Sequence, residues 1–542
     1  MSGIEAQVES GAWRRESGVA TYREAVMRDW GDLRIWDCLD YDAAGDLWIG
    51  DLRVIDAVRR YGTPLEIVDT RIIERRSREW FALTREVAAS VGYPGRLDYL
   101  YAAKANMASE VTHAAYRSGW NAETSAPQDL THLRWMADRG LLPAGLRVVC
   151  NGFKLPAARH GLPAGDLPDS ASRLELPHKD LSALVHRAPY AEGILEMAAD
   201  GWDIMPILDA DELPAFSAPG APSLRVGLRM KLGKVTTAAD LDRHVSRFGL
   251  DRDALAAAAR AVAEAPNLTL GTLHAMVGAA ETIPVEHFAE GLLLGADAWL
   301  ELRRAHPSLN ELNLGGGMPP LGEAYDHRDL LERLMRGILA RAEAAGLPAP
   351  DLCFELGSLV VAEAGFHVFK VMQRKVNHRS ADGGPGLPWA LLDGGLMAAI
   401  PDMLLIDKPF RFLALTDADA PATRVRFGDP TCDSDGRYPP AGFGAEAAEW
   451  LPEVAGETYV CVQGIGAYQE ILSGVRGAHH CGLLEAVELI LERGADGQPR
   501  ARLMPRQTAS EAAAVLGYTE EAAAALALTL PSGPDPGAVA RR

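Results

Sequence analysis

The sequence predicts an α/β chain, a (β/α)8 TIM-like barrel followed by an all-β C-terminal domain. Three observations predict it. First, short apolar runs alternate with Ala/Leu/Arg-rich helical windows from about Thr63 to Ala364. Second, after Phe366 the pattern changes to strand-like pieces separated by Pro/Gly/Asp-rich loops. Third, polar residues able to do chemistry stand at the ends of several of the apolar runs.

The runs of the first region are Leu65-Glu66-Ile67-Val68, Leu97-Asp98-Tyr99-Leu100-Tyr101, Leu146-Arg147-Val148-Val149-Cys150, Leu224 to Met230, Leu268 to His274, Glu311 to Leu314 and Leu352 to Glu355. A strand–helix repeat sustained over about 300 residues is what a barrel requires. In the second region Phe366 to Val376, Ala390 to Asp393, Phe410 to Leu415 and Thr458 to Val462 read as strands. Ala509 to Leu530 is Ala/Glu-rich and reads as two short helices, with a flexible tail after Pro531. At the other end, residues 1 to about 30 read as a loose arm, followed by the strand-like Leu33-Arg34-Ile35-Trp36 and Leu47-Trp48-Ile49. The expected organisation is an arm with strands joining the β-domain over 1–60, the barrel over 61–365, the β-domain over 366–505 and a helical tail over 506–542.

Composition narrows the function. The 542 residues are 48% hydrophobic and carry a formal net charge of −20. That suits a well-cored protein and argues against nucleic acid or anionic membranes as partners. No apolar run approaches a membrane span and the N-terminus has no apolar signal core, so a cytoplasmic location is expected. The six cysteines are widely spread without a CxxC pair, which points away from a zinc or disulfide framework.

Lys104 follows the run Leu97 to Tyr101, where a barrel strand would end on the site face. Burial there is expected to lower its pKa and release the free amine that forms an imine with an aldehyde, as in proteins that hold pyridoxal 5'-phosphate (PLP). His274 and Glu355 each end a run of their own, supplying an aromatic cation candidate and an acid. Gly315-Gly316-Gly317 follows Asn313-Leu314, and three glycines leave amide N–H groups free to cradle a phosphate. Taken singly these are weak signals; together, at strand ends, they describe a site.

The chain resembles the PLP-dependent decarboxylases with an alanine racemase / ornithine decarboxylase-like barrel (fold type III), which act on ornithine, lysine, arginine or diaminopimelate. It resembles the biosynthetic arginine decarboxylases most. The likeness spans roughly Pro64 to Leu484. It rests on Tyr101-Ala102-Ala103-Lys104-Ala105-Asn106, Cys150-Asn151-Gly152-Phe153-Lys154, Ser246-Arg247-Phe248-Gly249-Leu250, Leu314-Gly315-Gly316-Gly317, Thr431-Cys432-Asp433-Ser434-Asp435-Gly436 and Gly466-Ala467-Tyr468-Gln469-Glu470-Ile471-Leu472.

The resemblance implies roles. Lys104 would be the Schiff-base lysine, His274 the residue stacked on the pyridine ring, and Glu355 the partner of the ring nitrogen. Gly315, Gly316 and Gly317 would hold the phosphate with Tyr468, Arg229 would lie near the ring oxygen, and Glu123 near the lysine. Cys432, with Asp433 beside it, would return a proton to Cα as a thiol with a pKa near ambient pH. That loop reaches the partner subunit's site in this family, so a homodimer with shared active sites is implied, with higher oligomers open. Asp407, with Asp435 as a second negative charge, would receive the cationic end of a basic amino acid.

Two departures touch the phosphate site. His274 is followed by Ala275-Met276-Val277-Gly278 where the family has glycine then serine, and the family's Glu-x-Gly-Arg reads Glu355-Leu356-Gly357-Ser358. Ser358 thus stands where a cation is expected, and Lys231 or Lys234 is a candidate to compensate. The favoured expectation is decarboxylation of a basic L-amino acid (arginine-like, or ornithine, lysine or a modified analogue). A PLP-dependent racemase/epimerase, or a specialised biosynthetic PLP enzyme acting on an unusual amino acid, is the second reading. A non-catalytic regulator is the third.

Overall fold

In the computed structural model, residues 21–30, 37–154, 190–232, 247–278, 283–322, 325–375, 386–444, 446–475, 477, 479–494, 496–505 and 507–527 are described. The expected strand Leu33 to Trp36, the tail after Pro531 and Lys234 lie outside them. The chain divides into two compact units. The first comprises Met1–Asp69, Gly365–Ile465 and Gln469–Arg542; the second comprises Thr70–Ala364 and Gly466–Tyr468.

The second unit is a closed parallel barrel. Its strands among the described residues are β1 (Leu97–Ala102), β2 (Asn121–Thr124), β3 (Arg147–Cys150), β4 (Asp203–Leu208), β5 (Leu224–Met230), β6 (Leu268–Ala275), β7 (Glu311–Asn313) and β8 (Asp351–Leu356). They pair in sequence order, and β8 closes the ring on β1 with Leu352 opposite Leu97 and Glu355 opposite Leu100. Near-continuous apolar runs form these strands because the helices outside and the side chains inside cover both faces. Leu100, Val149, Met205, Ile207 and Cys353 make one buried cluster of the interior.

The covering helices follow from amphipathic spacing. Thr70–Val91 buries Ile73, Trp80, Thr84 and Val87 along one stripe. The helix His327–Ala345 begins at Asp326, whose carboxylate accepts from the Asp329 amide at 2.9 Å, and ends on left-handed Gly346 at φ 65°. Beneath the opposite, N-terminal rim, Arg147 forks onto Glu311 at 2.6 and 2.9 Å and also pairs with Asp98. That network closes the end of the barrel away from the lysine.

The first unit is all-β with short helices. The long strand Gly365–Lys375 is its spine. It pairs antiparallel with Leu65–Asp69, Trp389–Leu392 and Tyr459–Gln463. Leu65–Asp69 also pairs in parallel with Val487–Arg493. Phe369, Phe410, Phe412, Phe427, Tyr438 and Val462 lie in its buried core. The Ala/Glu-rich stretch forms the helices Ala509–Val515 and Glu520–Ala527.

The run Leu65 to Val68 therefore differs from its sequence reading: it is a strand of the β-unit, not of the barrel, and the barrel unit starts at Thr70. All five residues of Leu65–Asp69 are buried. A strand covered on both faces loses the alternation that separates a mixed sheet from a parallel one. The arm also contains a helix, Tyr22–Trp30, with Tyr22 and Val26 buried.

Candidate cofactor and active site

β1 ends at Ala102 and the chain enters a single 3-10 turn, Ala103–Ala105, which carries Lys104 over the C-terminal mouth of the barrel. Lys104 Nζ lies 3.0 Å from Glu123 Oε2 at the end of β2 and 3.5 Å from Ser125 Oγ. Glu123 is fully buried. Its other oxygen accepts from Ser125 Oγ and from Asn151 Nδ2, both at 2.9 Å. Asn151, just after β3, bridges to the far side of the mouth by donating to Glu355 Oε2 at 2.8 Å.

Glu355 sits on β8 and is the hub. His274 Nε2 on β6 is 3.1 Å from its Oε2, and Asn313 Nδ2 on β7 donates to its Oε1 at 2.6 Å. Burial pushes the Glu355 carboxyl up, but its contact with His274, the Lys104 charge and the hydrogen bond from Asn313 overcome that and hold it below the ordinary range. The carboxylate is therefore ionised. Five strand ends thus converge on one chain of contacts, Lys104–Glu123–Asn151–Glu355–His274, buried at Glu123, Glu355 and His274 and open at Lys104.

Two electrostatic expectations change. Burial does penalise the Lys104 ammonium, but Glu123 and Glu355 outweigh it, and the pKa of Lys104 is raised, not lowered. His274 goes the other way. Burial dominates over Glu355 and lowers its pKa, so it is a neutral ring and not the cation expected from sequence. Its Nδ1 is buried with no hydrogen-bond partner among the described residues.

A raised pKa keeps the amine protonated to higher pH, so attack by Lys104 on an aldehyde is expected to speed up as pH rises toward that pKa. Glu123→Gln removes one of the charges responsible. It is expected to move the pH profile of cofactor uptake by the apoprotein to lower pH, read as the growth of visible absorbance after mixing with PLP. An unmoved profile would take Glu123 out of this role.

The glycine run leaves β7. Gly315 has φ +63° and Gly317 φ +90°, and the Gly315 amide is fixed by Asn313 Oδ1 at 2.9 Å. A Cβ on Gly316 would stand 2.2 Å from the Glu355 carbonyl oxygen. Backbone there cannot retreat, so Gly316→Ala is expected to displace β8, lowering both thermal stability and retention of the cofactor through dialysis. Full retention of both would show that the tight turn is not needed.

The remaining expected contacts are placed as follows. Arg229, near the end of β5, packs its guanidinium 4.6 Å from the Phe248 ring centroid, and burial lowers its pKa. Tyr468 is held at φ +69°, with its amide donating to Ala105 O at 2.7 Å beside the Lys104 turn. Asn106 Nδ2 donates to Gly466 O at 3.1 Å, which fixes the same segment. Ser358 opens a four-residue helical turn after β8. Met276 packs its Cβ against the glycine run, where a serine was expected to bind phosphate. Lys231 pairs its backbone amide with Leu250 O at 2.8 Å.

Asn151, Asn313 and Ser125 are the members that sequence reasoning left without a role. Asn313 had a signal, being a polar residue in an otherwise apolar strand directly before the glycines. Lys154, from the same block as Asn151, is buried and spends its ammonium on the carbonyls of Ile207, Gly152 and Asn151 at 2.5, 2.7 and 3.2 Å. It fixes the loop and is no second Schiff-base candidate.

Cys432, Asp433, Asp435 and Asp407 belong to the β-unit. The first three lie on a loop between the strands Ala422–Gly428 and Arg437–Tyr438, shaped by Asp429, which accepts from the Thr431 amide at 2.9 Å and from the Leu396 amide at 2.9 Å. Cys432 is exposed, with its sulfur 3.6 Å from that of Cys481. The hydrogen bond with Cys481 pushes its thiol up, contrary to a pKa near ambient, so it is held as the protonated form. Asp407 follows the short helix Asp402–Leu405 at φ +50°, its carboxylate lying against Gly442. Asp433 and Asp435 are exposed, and the Asp435 amide donates to Asp433 Oδ1 at 2.9 Å.

The donor set of the barrel mouth suits PLP. It offers an amine for an aldehyde, an ionised buried carboxylate for a protonated ring nitrogen, a neutral ring with a free nitrogen beside it, and a backbone cradle that a Cβ would fill.

No protein-family model matches the chain. It is 26% identical over 362 residues to a diaminopimelate decarboxylase of Actinosynnema pretiosum subsp. auranticum, covering 63% of this chain and 69% of that protein. It is 25% identical over 452 residues to a diaminopimelate decarboxylase of Mycobacterium tuberculosis, covering 80% and 88%. Among solved structures it is similar to a diaminopimelate decarboxylase from M. jannaschii in co-complex with L-lysine, with a TM-score of 0.68 and 17% identity over 88% of this chain and 96% of that one. It is also similar to a biosynthetic arginine decarboxylase from Campylobacter jejuni, with a TM-score of 0.69 and 16% identity over 95% and 94%. Among the described residues, no helix is long and apolar enough to cross a membrane.

Proposed function

We propose that this chain, a homologue of the diaminopimelate decarboxylases within the PLP-dependent fold-type III family, is a PLP-dependent decarboxylase that takes carbon dioxide from a basic L-amino acid. The observation that carries this reading is the Lys104–Glu123–Asn151–Glu355–His274 network at the mouth of a parallel barrel.

The residues divide the work. Lys104 would hold the cofactor covalently through Nζ. Glu123 and Asn151 fix the lysine's position between reactions. Glu355 stays ionised because His274 and Asn313 donate to it, so it favours a protonated ring nitrogen. The neutral His274 ring covers one side of the site without adding charge. Gly315, Gly316 and Gly317 would offer backbone to the phosphate, and Tyr468, fixed beside the Lys104 turn, would add its hydroxyl. When bound, PLP supplies the electron sink that accepts the electron pair of the Cα–carboxylate bond. Cys432 then delivers its Sγ proton to Cα, with Asp433 adjacent, from the partner protomer of a homodimer. Asp407 and Asp435 supply negative charge for the distal cation of arginine, lysine, ornithine or diaminopimelate.

Turnover in deuterated water separates this reading from racemisation. Decarboxylation leaves one deuterium at Cα of an amine that has lost its carboxylate. An exchanged amino acid with its carboxylate intact would replace the proposal with a racemase or epimerase. Substrate choice has its own test. Asp407→Ala is expected to raise KM for the cationic substrate by roughly tenfold or more, the order of one charge-assisted hydrogen bond, and to leave cofactor content unchanged. An unchanged KM would remove Asp407 from the substrate pocket.

A further inference from the structure

The exposed face of the β-unit carries two residues, His480 and Cys481, that the decarboxylase reading does not use. Cys481 and His480 lie on a tight loop whose thiol and imidazole face the Cys432–Asp433 loop. Cys432 Sγ and Cys481 Sγ are 3.6 Å apart, and a ligand atom of His480 lies within 4.8 Å of both. His480 Nε2 is 3.9 Å from Asp433 Oδ2. Two thiolates on a tetrahedral zinc, at about 2.3 Å each, stand about 3.8 Å apart, and a thiolate and an imidazole about 3.6 Å. The observed sulfur separation, now bridged by a thiol–thiol hydrogen bond, is close to that of two thiolates on one ion.

The loops are also fixed in advance. Cys481 is held in the left-handed region at φ 56°, a conformation a non-glycine residue adopts only when its surroundings require it. The neighbouring His479 is tied away to Glu485 at 3.3 Å, and the Glu485 amide is anchored by Gln507 at 3.2 Å. Asp433 uses Oδ1 on the Asp435 amide, which turns Oδ2 toward His480. One histidine of the His479-His480 pair is thus spent on structure and the other is presented to the two thiols.

We propose that Cys432, His480 and Cys481, with Asp433 as the fourth ligand, form a surface site for a thiophilic divalent cation such as Zn2+. On binding, each thiol loses its proton to solvent and both sulfurs ligate as thiolates. Two protons are released per ion, and no electron transfer is involved. Because Cys432 is shared, an ion at this site removes the proton that the thiol would give to Cα, so zinc acts as a reversible inhibitor of turnover. This inhibitory consequence, unlike the binding itself, rests on the decarboxylase reading.

The experiment uses the reduced, PLP-loaded full chain, stripped with a chelator and titrated with Zn2+ against a chromophoric competitor. Wild type is expected to take up about one ion per chain, and His480→Asn and Cys481→Ser to weaken that uptake by about a hundredfold. Neither variant replaces a residue assigned to catalysis, but Cys481 contacts the Cys432 thiol and His480 the Asp433 carboxylate, so inhibition is read as the ratio of turnover with and without zinc for each variant. Whatever its zinc-free rate, each is expected to keep that rate at zinc concentrations that stop the wild type. The absence of tight uptake by the wild type, or equal uptake by both variants, overturns the site. Uptake that depends on both residues but leaves turnover untouched would keep the site and instead contradict the role of Cys432 as proton donor.

Discussion

Lys104→Ala is expected to abolish decarboxylation, by on the order of 10⁴-fold or more, because an intramolecular amine held at the barrel mouth is replaced by none. Loss of a side chain paired with a buried carboxylate could also disturb the fold, so Lys104→Arg is the control. The guanidinium keeps a positive charge against Glu123, which is fully buried, but cannot form the covalent link. Both variants are expected to lose cofactor that survives borohydride reduction and proteolysis, and in the wild type that cofactor is expected on the peptide containing Lys104. Substantial turnover by Lys104→Arg would remove the lysine from the chemistry.

Cys432→Ala carries the second large effect. General acid catalysis is typically worth 10²- to 10⁴-fold, and a loss of about that size in kcat is expected with cofactor content unchanged. The thiol is exposed on its own unit, and its neighbour Cys481 keeps it protonated. Both features suit a residue that completes a site on a partner protomer. Mixing Lys104→Ala with Cys432→Ala protein, each nearly inactive, is then expected to restore about a quarter of wild-type activity: random exchange makes half the dimers mixed, and each mixed dimer holds one intact site. No recovery after verified subunit exchange would contradict shared sites. Wild-type turnover by Cys432→Ala alone would assign the proton to another group.

Much of the fold was legible because the barrel strands are buried on both faces and therefore stand out as apolar runs. Six of the eight barrel strands coincide with an apolar run read from the sequence; Asn121–Thr124 and Asp203–Leu208 do not. The same burial concealed the one misplacement. Leu65–Asp69 is covered on both faces in a mixed sheet, and a pattern without alternation cannot say which sheet a strand joins.

The candidate site was legible where residue type alone restricts the chemistry, as with Lys104, Glu355 and the three glycines. It was less so where a role depends on a neighbour brought in by the fold. Asn151 matters only because folding sets it between Glu123 and Glu355. The pKa directions of Lys104 and His274 came out opposite to expectation for the same reason: which of burial and nearby charge wins is decided by distances. The motifs most resemble arginine decarboxylases, whereas the sequence relatives are diaminopimelate decarboxylases. The residues expected to separate these substrates, Asp407 and Asp435, lie outside the strands, where side-chain geometry is not encoded locally.

The most direct test is to load the purified protein with PLP and measure carbon dioxide and amine together, offering arginine, ornithine, lysine and diaminopimelate in turn, with Lys104→Arg alongside. Equimolar carbon dioxide and amine from at least one of the four, absent with Lys104→Arg, is the predicted result. Bound cofactor on Lys104 with no carbon dioxide from any of the four would contradict decarboxylation of a basic amino acid.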